Sequence, residues 1–325
     1  MTRAPRRRVL VLLAGLTAAV LSLYGCRTIM GVLSGDLDLE DIDKDIKGMR
    51  NLAQAMSEAN RTITPEDEYF LGRAVAVNVL AKYQYQYLES ESFGQGQISP
   101  GLTNYLYHIA KILVMTAEQR PLKGDRSTPL AGYHIVVVNS PEVNAMAAPG
   151  GYMFITTGLL RLARTEDEVA AIIAHEMGHI IRGHGIEAIK KARWNRAKAI
   201  FASEAASGVF GDQAAATQFL TTAVTDILGT MLMEGYGQKT EFEADLYGMR
   251  LLSMAGYNPW ALYNVIKAMD QAGAGHQTGF YKTHPAPSAR MKALYDATPK
   301  TKYPTPPPAR LARFRVALGH MPPST

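Results

Sequence analysis

TEDEVAAIIAHEMGHIIRGHG, residues 165–185, constrains the fold of this chain more than any other stretch. Thr165 followed by three acids is a helix start, with a side-chain cap and carboxylates where the helix dipole favours them. Val169, Ala170, Ile172 and Ile173 then place apolar groups around the helix, so the helix packs inside the protein. It carries His175, Glu176 and His179 inside with it, and buried polar groups need partners. Residues four apart differ by about 40° in azimuth, so both imidazoles project from one face. That spacing suits two nitrogens at ~2.0–2.1 Å from one Zn²⁺. Glu176, beside a ligand, can act as general base on water there. The bland alternative, a helix with solvent-facing histidines, conflicts with the apolar setting.

His184 lies five residues after His179, about 140° away on a straight helix. It joins their face only if the helix breaks. A zincin class with H-E-x-x-H-x-x-G-x-x-H breaks at a glycine, but the corresponding positions here are Arg182 and Gly185. His184 therefore reads as a structural or surface residue near the helix end. A third metal ligand must come from elsewhere, since catalytic zinc takes three protein ligands and a water. TEFEADLYGMRLL (240–252) offers Glu241, Glu243 and Asp245. Glu241 and Asp245 share a helix face. With Glu241 as ligand, Asp245 can orient a ligating histidine. Glu243 points about 160° away from Glu241 and has no such partner four residues on.

HEMGH followed 62 residues later by EFEAD-x-x-G resembles the M48 family of zinc metallopeptidases. NAMAAPGGYMFITTGLL (144–160) is similar to the strand-turn-strand that precedes the family's active-site helix. THPAPSAR (283–290) is similar to its late H-P-x-x-x-x-R segment. The resemblance implies an α+β fold, mainly helical, with a zincin-like (gluzincin) metallopeptidase domain and a small β-sheet. It implies one Zn²⁺ per chain on His175, His179 and Glu241. It also implies that His284 could cap the zinc as a fourth ligand or switch, with a hydrogen-bond donor or a plain turn residue as the alternatives. Arg290 could neutralise a carboxylate near the site, or lie on the surface.

The N-terminus has a basic start, an apolar run over 9–25, and then Cys26, the protein's single cysteine. LYGC resembles a bacterial lipobox, in which Cys26 is acylated after cleavage; an uncleaved anchor helix is the alternative. Residues 26–60 then read as a lipidated N-terminus and an amphipathic linker helix, 61–298 as the metallopeptidase domain, and 299–325 as a Pro-rich tail that wraps or dangles. The apolar stretch 219–237 reads as a helix covering the site. Net charge is +5, but four arginines in the first eight residues supply most of it. Nucleic acid is therefore not an expected partner.

These features combine into an envelope endopeptidase. The protein would be lipid-anchored and periplasm-facing, at the outer membrane. Its substrates would be unfolded or misfolded proteins, with the outer-membrane assembly machinery as a further partner. Substrate would add as a strand beside Asn144, Ala145, Met146 and Ala147. A zinc-containing chaperone with little proteolysis is the rival reading.

Overall fold

In the computed structural model the described residues are 50, 53–57, 59–82, 100–207, 236–272, 287–300, 303 and 305–319. Cys26, His284, the first 49 residues and most of 219–237 lie outside them. Two compact units divide the chain, Met1–Thr62 with Lys190–Thr221 and Ile63–Ile189 with Thr222–Thr325. In the first, Met56 and Ala59 are buried and Arg193 Nη1 donates to the Arg61 carbonyl. The second holds every candidate site residue that is described.

That second unit begins with helix α1 (Pro65–Lys82), started by Thr64. The Thr64 hydroxyl accepts from Asp67 N, and Asp67 Oδ2 accepts from Thr64 N, each at 3.1 Å. This reciprocal pair satisfies donors that a helix start leaves open. Helix α2 (Pro100–Gln119) follows. Then come β1 (His134–Val138), β2 (Ala145–Ala148), a 3₁₀ turn at Pro149–Gly151 and β3 (Tyr152–Thr156). The turn reverses the chain through positive φ at Gly150 and Gly151, which glycine adopts without a Cβ clash. The strand order is β1-β3-β2, with β3 parallel to β1 and antiparallel to β2. Strand β2 thus forms one edge of this sheet.

Alternation splits the sheet between two cores. Ile135, Val137, Ala145, Ala147, Met153 and Ile155 face the larger core. Val138, Met146, Ala148 and Phe154 face a smaller one with Val75, Val79, Ile186 and Ile189. A short helix α3 (Thr157–Leu160) leads to α4 (Glu166–Arg182), whose residues from Glu166 to Ile181 are all buried. Thr165 caps α4 by accepting from Glu168 N at 3.2 Å. The remaining helices are α5 (His184–Ser207), α6 (Gln238–Met254), α7 (Trp260–Gln271), α8 (Pro287–Ala297) and α9 (Pro308–Leu318). Among the described residues no helix is long and apolar enough to cross a membrane.

Helix α9 lies inside the segment whose composition suggests only a wrapping or dangling tail. Its arginines explain the difference. Arg313 donates to both carboxylate oxygens of Glu166, at 2.6 and 3.1 Å, and Arg310 donates to Asp167 at 3.1 Å. Both acids are buried in the first turn of α4. Phe314, Ala317 and Leu318 pack on the larger core from the same helix. Arg313→Ala should therefore destabilise the fold by about 1–3 kcal/mol, the usual cost of leaving a buried polar group short of a partner. A shift in urea midpoint at unchanged slope is the check. No shift would mean that water replaces the arginine freely.

Candidate metal centre

Helices α4 and α6 cross at close range because both carry small residues at the crossing. A methyl group on Gly178 would stand 3.0 Å from the Ala244 carbonyl oxygen, and one on Gly248 would stand 3.2 Å from His175 N. With the backbones this near, short reaches suffice. The Nε2 atoms of His175 and His179 lie 3.2 Å apart. Glu241 Oε2 is 3.5 Å from His175 Nε2, and Glu241 Oε1 is 3.3 Å from His179 Nε2. One ligand atom from each of the three falls within 4.8 Å of the others, and all three side chains are buried. Two imidazoles and one carboxylate in this triangle form a donor set that could hold a divalent metal.

Glu176 projects beside the triangle and is 1% exposed. Neither of its carboxylate oxygens has a hydrogen-bond partner among the described residues. Carboxylates are seldom buried so bare. Burial raises the Glu176 carboxyl to about 7. The two imidazoles diverge. Burial works against a charged His175, but hydrogen bonding with Asp245 and Glu241 outweighs it and raises that group to about 9. Burial lowers His179 to about 3.

Each histidine is backed by a different partner. His175 Nδ1 lies 2.9 Å from Asp245 Oδ1. Asp245 accepts in turn from Arg290 Nε and Nη2, at 2.8 and 2.6 Å, and Arg290 Nη1 lies 3.4 Å from Glu241. Arg290 is 1% exposed, so the alternative of a surface arginine is corrected. Burial opposes the Asp245 charge, yet the Arg290 guanidinium holds its carboxyl below the usual range. His179 is backed by His184, with the two Nδ1 atoms 2.9 Å apart. His184 Nε2 is 3.6 Å from Glu243, which accepts from Arg182 at 2.6 Å.

The surface alternative for His184 therefore needs correction. It is 4% exposed. Gly183 adopts φ 74°, ends α4 in the left-handed conformation and turns the chain so that His184 comes back against His179. The helix break that His184 needs thus falls at Gly183, one position after the 182 of the H-E-x-x-H-x-x-G-x-x-H pattern. The Ala-x-x-x-Gly pairs at 174/178 and 244/248 are the signal in the sequence of this close helix crossing. Tyr236 belongs to no sequence motif, yet it reaches the centre. Its ring stacks on His179 with centroids 4.7 Å apart. Asn144, Ala145, Met146 and Ala147 lie on or beside the edge strand β2. His284 lies outside the described residues.

The profile of peptidase family M48 matches residues 117–298. Among individual proteins, the chain is 31% identical over 166 residues to the mitochondrial metalloendopeptidase OMA1 of Arabidopsis thaliana, covering 51% of this chain and 31% of that protein. It is 30% identical over 161 residues to the metalloprotease LoiP of Escherichia coli (strain K12), covering 49% and 60%. It is 27% identical over 199 residues to the beta-barrel assembly-enhancing protease of Escherichia coli O157:H7, covering 59% and 38%. The matched stretches thus span less than two thirds of these relatives. The family match takes in β1 to β3, the H-E-x-x-H helix, Glu241 and Arg290, more than half of the sequence. The chain belongs to peptidase family M48.

Proposed function

We propose that this protein is a zinc-dependent endopeptidase that cleaves unfolded or misfolded proteins of the cell envelope. The observation that carries the proposal is the buried triangle of His175, His179 and Glu241 with Glu176 beside it, whose carboxylate has no hydrogen-bond partner among the described residues. His175 and His179 would hold the ion through Nε2, with Glu241 as the third ligand. Zinc in such a site lowers the pKa of water towards ~7 and polarises a peptide carbonyl. Glu176 takes the proton of the attacking water and passes it to the leaving amine. Burial favours the protonated form of the Glu176 carboxyl more than water does, which suits a group that takes up a proton and gives it back. Asp245 and His184 fix the ring orientations of the two histidines.

An extended peptide fits the open edge of β2. Thr156 N donates to Asn144 O across the β2–β3 pair. By antiparallel alternation, Ala145 and Ala147 turn their backbone groups away from β3, to the open edge. Main-chain pairing there tolerates many side chains, as a quality-control protease requires. The names of the relatives support a setting beside a membrane: one is mitochondrial and one concerns β-barrel assembly. The lipobox-like LYGC supports a lipid tether at Cys26, facing the periplasm at the outer membrane, where the assembly machinery would be a partner.

Casein digestion with and without a chelator tests the activity. Cleavage should vanish on chelation and return with one equivalent of Zn²⁺ per chain. Digestion indifferent to the chelator would sink the proposal. The ligand choice has its own test. Glu241→Gln should lower zinc content sharply, whereas Glu243→Gln should leave most of it, because Glu243 serves Arg182 and His184 instead. Elemental analysis of the purified variants reads this directly, and the reverse ranking would exchange the two roles.

A further inference from the structure

Tyr236 sits where a peptide would have to go. Its hydroxyl donates to the Ala147 carbonyl at 2.6 Å. Ala147 is one of the two β2 residues whose backbone groups turn away from β3, so its carbonyl is an acceptor that a substrate strand needs. The same phenol ring lies at 30° to the His179 ring, its centroid 4.7 Å away. Gly185 leaves room for this: a methyl group there would come within 3.4 Å of the Tyr236 hydroxyl and 3.2 Å of Pro149. Ala147, Ala148, Pro149, His179, Gly185 and Tyr236 line one groove along the strand. Thr240 secures the position from behind, its hydroxyl donating to the Tyr236 carbonyl at 2.6 Å. A single side chain thus spans from the sheet edge to a candidate metal ligand.

We propose that Tyr236 is a substrate mimic on the β2 edge: its hydroxyl holds the Ala147 carbonyl until a peptide backbone N–H replaces it. The proposal rests on the reading of β2 as the substrate edge. It makes Tyr236 a residue that sets the threshold for binding. A chain that offers a run of free backbone N–H groups displaces the phenol and recovers its hydrogen bond with Ala147. A folded protein, whose backbone donors are already paired, offers nothing in exchange. The selection for unfolded substrates then lies partly in one hydroxyl group.

The test uses the zinc-loaded Glu176→Gln protein, so that binding is read without turnover, and a fluorescein-labelled unstructured β-casein peptide as probe. Adding Tyr236→Phe keeps the ring on His179 and removes only the hydroxyl. Fluorescence anisotropy should show about two- to tenfold tighter binding, the scale of one net hydrogen bond. N-methylating the peptide one residue at a time should cancel that gain at one position, the residue that faces Ala147. Equal affinity with and without the hydroxyl would overturn the proposal and leave the β2 edge intact. Weaker binding in the Phe variant would overturn it too, making the phenol a ligand for substrate. If neither protein binds the peptide, the β2-edge reading fails, and this proposal fails with it.

Discussion

Glu176→Gln is expected to cut casein cleavage by about 10²–10⁴-fold, the usual range for a positioned general base. Metal content should stay at that of the unaltered protein. The two expectations separate because Glu176 is not part of the donor triangle formed by His175, His179 and Glu241. A glutamine matches the shape and keeps an oxygen acceptor, but its amide cannot take and release a proton at neutral pH. Burial should make this variant slightly more stable, since it removes a carboxyl that has no hydrogen-bond partner among the described residues. Activity within a fewfold of the unaltered protein would show that another group moves the proton.

Arg290→Met should produce the largest loss of stability. The guanidinium is buried and serves two buried carboxylates, Asp245 by two hydrogen bonds and Glu241 at 3.4 Å. Removing one partner of a buried ion pair costs about 3–5 kcal/mol, because the remaining charge keeps its desolvation penalty and loses its compensation. Arg290→Lys should recover only part, since one ammonium cannot reproduce the planar fork that grips Asp245. Combining Arg290→Met with Asp245→Asn should cost less than the two single changes added together, because the second change removes the stranded charge. Urea unfolding of the four proteins gives the cycle. Strict additivity would mean that Asp245 does not depend on Arg290.

The sequence made the elements around the centre legible because local chemistry specifies them. Thr165 and the acids after it mark the start of α4, and Pro-Gly-Gly marks the turn between β2 and β3. The i,i+4 pairs 175/179 and 241/245 fall on single helix faces, so their neighbourhood could be read from spacing alone. What escaped is what depends on a chain reversal or on contact between distant segments. His184 comes back to His179 through one left-handed residue, Gly183. Arg310 and Arg313 look like ordinary tail charges until α9 folds back onto Glu166 and Asp167. Tyr236 acquires meaning only when the edge of β2 is beside it. Periodicity carries no information about such meetings.

The near contact of backbones at Gly178 and Gly248 has a bearing on how a molecule of this kind can diversify. Side chains packed between helices form a layer that evolution can remodel by trading volume between neighbours. At this crossing no such layer exists: adding a methyl group presses directly on main-chain atoms of the opposite helix. A larger residue at either glycine would therefore push the two helices apart and move His175 relative to Glu241. Innovation is left to the periphery of the groove, to positions such as Tyr236 and Gly185. Tyr236 itself reaches both the strand edge and the metal centre, since its hydroxyl meets the β2 edge and its ring lies on His179.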